Sequence, residues 1–327
     1  MNKVSVLSFL TAVLSSASLG QRYVITQIAP FPDAEATYIN DVNSRGQIVG
    51  HSTFRDDVSR GFLIDNGVLT EISLPDEDTL AFAINDSGTV VGFSTGESDV
   101  TRAFQWTANA GFQMLFPTRE RSVAYDINNH GHIVGQLGYG RPYVMRDGVT
   151  TVLGTIYGIS GRAVAINDDD VIVGSESPPW IEFPRGVRWI DDIPQQLAGG
   201  DGKFPRRINS NGLIVGMHWT YHIQTERPVY WSGNSLFYLP SLVGRGMGYG
   251  INESGDMVGW VLDRNWQQRT AALWKNLQLV LLQSEIATPG WDLGEASCIS
   301  NSGQIYGRGT YNGTLTAFML TPTDNRR

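Results

Sequence analysis

The chain has 327 residues, a formal charge of -8, 37 glycines and only 17% charged residues. An acidic balance disfavours nucleic acid or an anionic membrane as partner, because both require a basic face. The single cysteine, Cys298, excludes an internal disulfide, and a chain this long buries enough apolar surface to fold without one.

Residues 1–20, MNKVSVLSFLTAVLSSASLG, read as a secretory signal peptide: Lys3 is the positive start, Val4 to Leu14 the apolar stretch, and Ser15 to Gly20 the small-residue cleavage region. The apolar run is too short to span a bilayer. A secreted protein with one domain over residues 21–327 is expected, its charge falling to -9 with the loss of Lys3.

Residues 22–28, RYVITQI, alternate as a strand does. A phrase then recurs along the chain, Ile-Asn-x-x-Gly-x-Ile/Val-Val-Gly, cleanest at residues 84–92. Its anchors are Asn43, Asn85, Asn128, Asn167, Asn209, Asn252 and Ser300, in steps of 42, 43, 39, 42, 43 and 48 residues. A period near 40–45 residues of short apolar runs is the signature of a four-stranded propeller blade. In residues 81–115 the four runs are AFAIN, TVVGFS, RAFQWT and GFQML, denoted strands a to d. The a–b turn pairs an Asn, whose side chain bonds nearby backbone, with a Gly supplying positive φ. In the fourth copy Asp170 replaces that Gly, so a strained or differently shaped turn is expected there.

The last copy stops after strand c at Thr316–Leu320, whereas the mature start is a lone strand d. The fold class is therefore all-β: a seven-bladed propeller of four-stranded blades, closed by the N-terminal strand completing the last blade. Cys298, next to the seventh anchor, reads as a core residue. The Asn-x-Ser/Thr sequences at Asn85 and Asn252 fall in the repeated turn, where a structural role is expected; Asn312 starts a third.

With its Ile-Asn-x-x-Gly phrase, Pro289-Gly290-Trp291-Asp292-Leu293 before the last anchor, and the ending Ala317-Phe318-Met319-Leu320-Thr321-Pro322, the chain resembles the secreted HAF-repeat family, named for a His-Ala-Phe step in strand c. The resemblance implies a propeller and an extracellular location, and it transfers no catalytic residue. The chain departs from the family at the His, which is Arg60, Arg102, Arg141, Arg185 and Arg227 in five copies and Thr270 and Thr316 in two. A residue repeated in every blade serves the blade, so these arginines are expected to stack on neighbours and bond loop carbonyls rather than form an anion ring.

Chemistry is expected where the repeat varies. The b–c and d–a loops emerge on one face and differ from copy to copy, and binding sites concentrate in such loops. Three residues before each anchor stands a variable column, Asn40, Phe82, Tyr125, Val164, Arg206, Tyr249 and Ser297, at the loop-face end of strand a. The candidate site comprises Arg206, Tyr249 and Tyr125 as catalytic groups, with Phe82, Arg121, Trp219, His222 and Trp266 binding substrate. His218 and His222 lack the helical setting of a metal pair, and Asp168-Asp169-Asp170 lacks the spacing of a calcium loop. No Gly-x-Ser-x-Gly elbow, phosphate loop or opposed acid pair appears in the sequence. The expected function is a cofactor-free cyclase of natural-product biosynthesis, like a hetero-Diels–Alderase, acting on a small, largely apolar organic substrate. A carbohydrate-binding or carbohydrate-cleaving propeller and a structural or protein-interaction module are the alternatives.

Overall fold

The computed structural model describes residues 22–323 apart from 56–57, 97, 117–119, 157–159, 179–182, 221–223 and 266. The leader assigned to residues 1–20 thus lies outside the described residues. Seven antiparallel sheets of four strands follow one another around an axis. The innermost strands, a, are Ala36–Val42, Asp78–Ile84, Ser122–Ile127, Ser160–Ile166, Lys203–Ile208, Gly246–Ile251 and Trp291–Ile299 for blades 1 to 7. The ring closes as the N-terminal strand pattern requires. Tyr23–Ile28 pairs along Thr314–Pro322, Tyr23 opposite Pro322 and Ile28 opposite Ala317. Tyr23–Ile28 thereby supplies the fourth, outermost strand of blade 7 and joins the two ends of the chain in one sheet.

Apolar alternation explains why the blades stack. The Val of each phrase points into the gap between blades, so that Val49, Leu63 and Ile72 of blade 1 pack on Ala81, Ile84 and Phe104 of blade 2. Fully buried Trp189, Trp231 and Trp274 extend this packing outward. Each indole N–H donates to a backbone carbonyl in or just after the outer strand of the preceding blade, on Gly154, Ala198 and Pro240 at 2.7, 3.0 and 2.7 Å. Burying a large apolar side chain contributes roughly 1.5–3 kcal/mol, and the bonded N–H removes the penalty such a polar tip would carry.

The anchor asparagines do two jobs. Their Oδ1 atoms accept the backbone N–H four residues on, as Asn85 does from Thr89 at 3.0 Å. Their Nδ2 atoms donate to the carbonyl of the next anchor, from Asn43 to Asn85 at 2.9 Å and onward to Ser300, which Asn252 reaches at 3.3 Å. This chain of bonds fixes one blade to the next. It is interrupted at the closure: Ser300 keeps the turn bond from Gln304 at 3.0 Å, but its hydroxyl faces Ser302 and it has no amide to offer Asn43. The amides of Asn85 and Asn252 are thus committed to scaffold, whereas Asn312 is exposed.

The Asp170 turn takes the costly positive φ that was expected but is not differently shaped. It keeps the shape of the others, with φ of 58° and the Asp170 N–H on Asn167 O at 3.1 Å. The side chain offsets the unfavourable φ. Its carboxylate accepts from Asn128 Nδ2 at 2.9 Å and Arg146 Nε at 3.0 Å, and lies 2.7 Å from His132 Nδ1. Burial works to raise this carboxyl, but His132 and Arg146 outweigh it and hold it below the usual range.

A β-bulge recurs in strand a of every blade. The register slips between Ile39 and Asp41, Ala81 and Ala83, Ala124 and Asp126, Ala163 and Ala165, Pro205 and Arg207, Gly248 and Gly250, and Ala296 and Cys298. The last glycine of the phrase makes room for it. A Cβ at Gly50, Gly92, Gly135, Gly174, Gly216, Gly259 or Gly307 would stand 1.9–2.2 Å from a strand-a carbonyl oxygen, so none of these positions admits a side chain. The residue skipped by the bulge is the variable one three before each anchor.

Candidate functional site in the axial channel

The bulge breaks the alternation of sides, and in five blades both residues of the resulting pair line the axial channel, whereas Ala83 and Ala165 pack between blades. The first of each pair surrounds a cavity of about 360 Å³ on the loop face: Asn40, Phe82, Tyr125, Val164, Arg206, Tyr249 and Ser297 all line it. Tyr38, Arg162 and Glu295, two positions earlier in the strand, and Arg308 on strand b complete the wall. Where the second residue lines the channel, it does so on the turn side. There Asp41, Asp126, Arg207 and Cys298 join the anchor asparagines around a narrower space of about 190 Å³.

The two spaces meet at Arg207, which touches both. Its Nη1 lies 3.1 Å from Asp126 Oδ1 and its Nη2 3.8 Å from Asp41 Oδ1. The carboxylates also accept backbone N–H groups of the next blades, Asp41 from Ile84 at 3.1 Å and Asp126 from Ile166 at 3.0 Å. Burial pushes the Asp126 carboxyl up to about 6 even though Arg207 pulls it down, and it raises Asp41 in the same way. Arg207 itself is raised: burial opposes its charge, but Asp126 and Asp41 prevail. This triad is a structural floor for the loop-face cavity. The buried Cys298 thiol beside it is held protonated, chiefly by burial, as a core residue is.

The cavity wall is chemically divided. Phe82 and Tyr125 stack at 5.9 Å between centroids with planes 16° apart, and Val164 follows them. Opposed in character are the arginines. Arg308 bonds Glu295 at 3.0 Å and lies 4.5 Å over the Tyr38 ring; Arg269, above, reaches the other Glu295 oxygen at 3.4 Å. Arg162 has Ser175 Oγ at 3.4 Å as its partner. Arg206 sits deep in the funnel with its guanidinium 6.0 Å from the Tyr249 ring centroid, much of its surface open to the channel. Burial lowers the Arg206 pKa; Tyr249 opposes the shift, and Arg162 and Arg207 add to it. Burial, reinforced by Glu295, raises the Tyr249 phenol, so it stays protonated and offers a donor at neutral pH.

Of the residues expected at the site, Phe82, Tyr125, Arg206 and Tyr249 thus share one cavity. Trp219 does not reach its wall. It packs between blades 5 and 6 with Met217, Met247 and Trp260, and its ring lies 6.3 Å from Phe183. Arg121 is also outside the wall, 5.8 Å from the ring of the exposed Tyr139. His222 and Trp266 lie outside the described residues. Arg162, Glu295, Arg308 and the Arg207 triad were not anticipated. The glycine in mid-strand b was the available signal, since a lone Gly in a strand marks a bulge or a close backbone approach.

The repeated strand-c arginines are tied down locally, in the described contacts by carboxylates and aromatic rings. Arg102 pairs with Glu77, Arg141 with Glu120, and Arg185 with Asp201 at 2.6 Å. Arg60 lies 4.5 Å over Phe54 and Arg227 3.8 Å over Tyr238. The segments leading into or out of strand d supply an acid in three blades, and a carboxylate outcompetes a carbonyl for a guanidinium.

No family model matches the sequence. No curated protein matches it either. Solved structures do resemble the fold. The β-propeller domain of the trilobed protease from Pyrococcus furiosus aligns with a TM-score of 0.61 at 10% identity, over 90% of this chain and 95% of that one. That domain is described as having an open velcro topology, whereas here the N-terminal strand completes the last blade. A puromycin-hydrolyzing peptidase of Mycobacterium tuberculosis aligns at 0.58 and 13% identity, over 95% of this chain and 56% of that one. YCF48 bound to the D1 peptide aligns at 0.54 and 11%, over 97% and 99%. At such identities the likeness is one of fold. The chain is a seven-bladed β-propeller.

Proposed function

We propose that the loop-face funnel binds a small organic molecule and promotes its cyclisation without a cofactor, in the manner of a hetero-Diels–Alder cyclase. The observation that carries the reading is the convergence of seven non-repeating bulge residues, one per blade, on a single cavity. Its size, about 360 Å³, falls in the range of small-molecule pockets. The Phe82–Tyr125 face offers a flat surface on which an unsaturated system lies, and Arg206 and Tyr249 offer donors to an oxygen of that system. A pericyclic step forms two bonds while shifting three electron pairs within the reactants. It needs orientation, which is worth orders of magnitude in rate, and stabilisation of charge growing on an oxygen. It needs no nucleophile or proton relay. Glycoside cleavage needs two opposed carboxyl groups, and among the described residues lining the funnel Glu295 is the sole carboxylate, already held by Arg308 and Arg269. The resemblance to secreted HAF-repeat proteins supports an extracellular or secretory-pathway setting.

The test is genetic and chemical. Deleting the gene in its host should remove a cyclised metabolite and accumulate its acyclic precursor, read by liquid chromatography and mass spectrometry. The intact gene should restore the product, and Arg206→Ala or Tyr249→Phe should not. Full restoration by both variants would remove the proposed site.

A further inference from the structure

We infer that the ligand of the loop-face funnel is a planar organic anion, its flat unsaturated part lying on Phe82 and Tyr125 and its anionic group received by Arg206 with Arg162. The inference rests on the small-molecule reading of the funnel and adds the charge of what enters it.

The argument is one of charge balance. The whole chain is acidic, with a net charge of -8, so positive excess anywhere is not a consequence of composition. Many arginines elsewhere are matched, Arg102, Arg141, Arg146, Arg185 and Arg245 each contacting a carboxylate, while Arg60 and Arg227 lie over aromatic rings. Directly below the funnel, Arg207 is matched by two. Arg206 and Arg162 differ. Among the described residues neither has a carboxylate within ion-pair distance, although both line the same cavity as Arg308. Glu295 cannot serve them, being shared between Arg308 and Arg269. Apart from Arg207, which its own two carboxylates match, the wall therefore carries three arginines against one acid, and of these three Arg206 is set deepest and open to the channel. Guanidinium groups held together in this way repel one another, an arrangement relieved by an anion that bridges them. Arginine also suits the purpose by geometry, since its planar fork meets a carboxylate through two parallel bonds. The aromatic pair sets the second requirement. Stacked rings 5.9 Å apart present a rigid apolar surface, which favours a flat partner over a globular one.

The test uses the mature protein and a panel of benzoate, 2-naphthoate and anthracene-2-carboxylate, each beside its neutral primary amide, titrated by calorimetry. At least one carboxylate is expected to bind ten or more times tighter than its amide. Arg206→Gln should shrink that ratio to threefold or less, and Phe82→Ala should weaken acid and amide alike, leaving the ratio intact. An amide that binds as well as its acid, or a ratio unchanged by Arg206→Gln, overturns the anion while leaving a small-molecule funnel standing. If no acid or amide binds, the small-molecule reading falls and takes this inference with it.

Discussion

The two ends of the central channel are built from neighbouring residues of the same inner strands, yet they treat charge in opposite ways. On the turn side the anchor asparagines and the buried charges have partners within the fold. The anchor asparagines link blade to blade, and Arg207 stands between Asp41 and Asp126. On the loop side, one residue earlier, Arg206 faces open channel with no carboxylate beside it among the described residues, and Arg162, likewise without one, lines the same cavity. A satisfied network rigidifies a fold, whereas a buried or half-buried charge left unmatched is unfavourable unless something else completes it. The contrast separates scaffold from site more sharply than any motif in the sequence does.

If that contrast holds, removing a charge should have opposite consequences at the two ends. The largest effect is expected from Arg207→Met, which leaves Asp41 and Asp126 facing each other without a cation. Breaking such a buried arrangement costs roughly 3–5 kcal/mol, measurable by urea unfolding at pH 7.5. The loss should shrink in acid. Both carboxyls are raised in the folded protein, Asp126 to about 6, so the folded state holds their protons more tightly than the unfolded chain. The Asp126 contribution is therefore full below about 3.8, the ordinary value, and is lost as pH rises through about 6, and the Asp41 contribution changes in the same direction. A variant equally unstable at pH 4.5 and 7.5 would contradict this account of the floor.

A smaller effect, of opposite sign, is expected at the break in the asparagine chain. Ser300→Asn restores an amide that can reach the carbonyl of Asn43 while its oxygen keeps the bond to Gln304. One added hydrogen bond contributes about 0.5–1.5 kcal/mol, so the unfolding midpoint should rise. A fall would show that the seventh junction is shaped differently from the other six. The smallest effect is expected at the loop end. Arg206→Gln removes an unmatched charge repelled by its neighbours, so thermal unfolding should show no loss of midpoint even as anion binding weakens. A clear drop in midpoint would make Arg206 part of the scaffold and erase the distinction between the two ends.

How much of this was legible beforehand can be argued from single columns. The anchor column and the turn glycines follow from local chemistry: Asn bonds backbone close to it, and Gly alone takes positive φ without penalty. Those requirements recur in each copy, so they stand out as a repeat. Phe82, Tyr125, Arg206 and Tyr249 were visible as a column that varies where its neighbours do not. Trp219 was not legible as a packing residue. It lies in a variable segment like the others, and only the inter-blade contact with Met217 and Trp260 shows which way its ring turns.

The sequence by itself determined the number of blades, the closure by the N-terminal strand and the turn chemistry, because each is a short-range requirement written once per repeat. The tertiary structure decided which side chains meet across the axis. A bulge in strand a turns two neighbours toward the channel instead of one, so Arg206 and Arg207 share it despite being adjacent in sequence. What each then faces comes from other blades: Asp41 and Asp126 for Arg207, and Arg162, Tyr249 and open channel for Arg206. Those partners lie tens of residues or more away along the chain, where spacing no longer constrains contact and only the closed ring does.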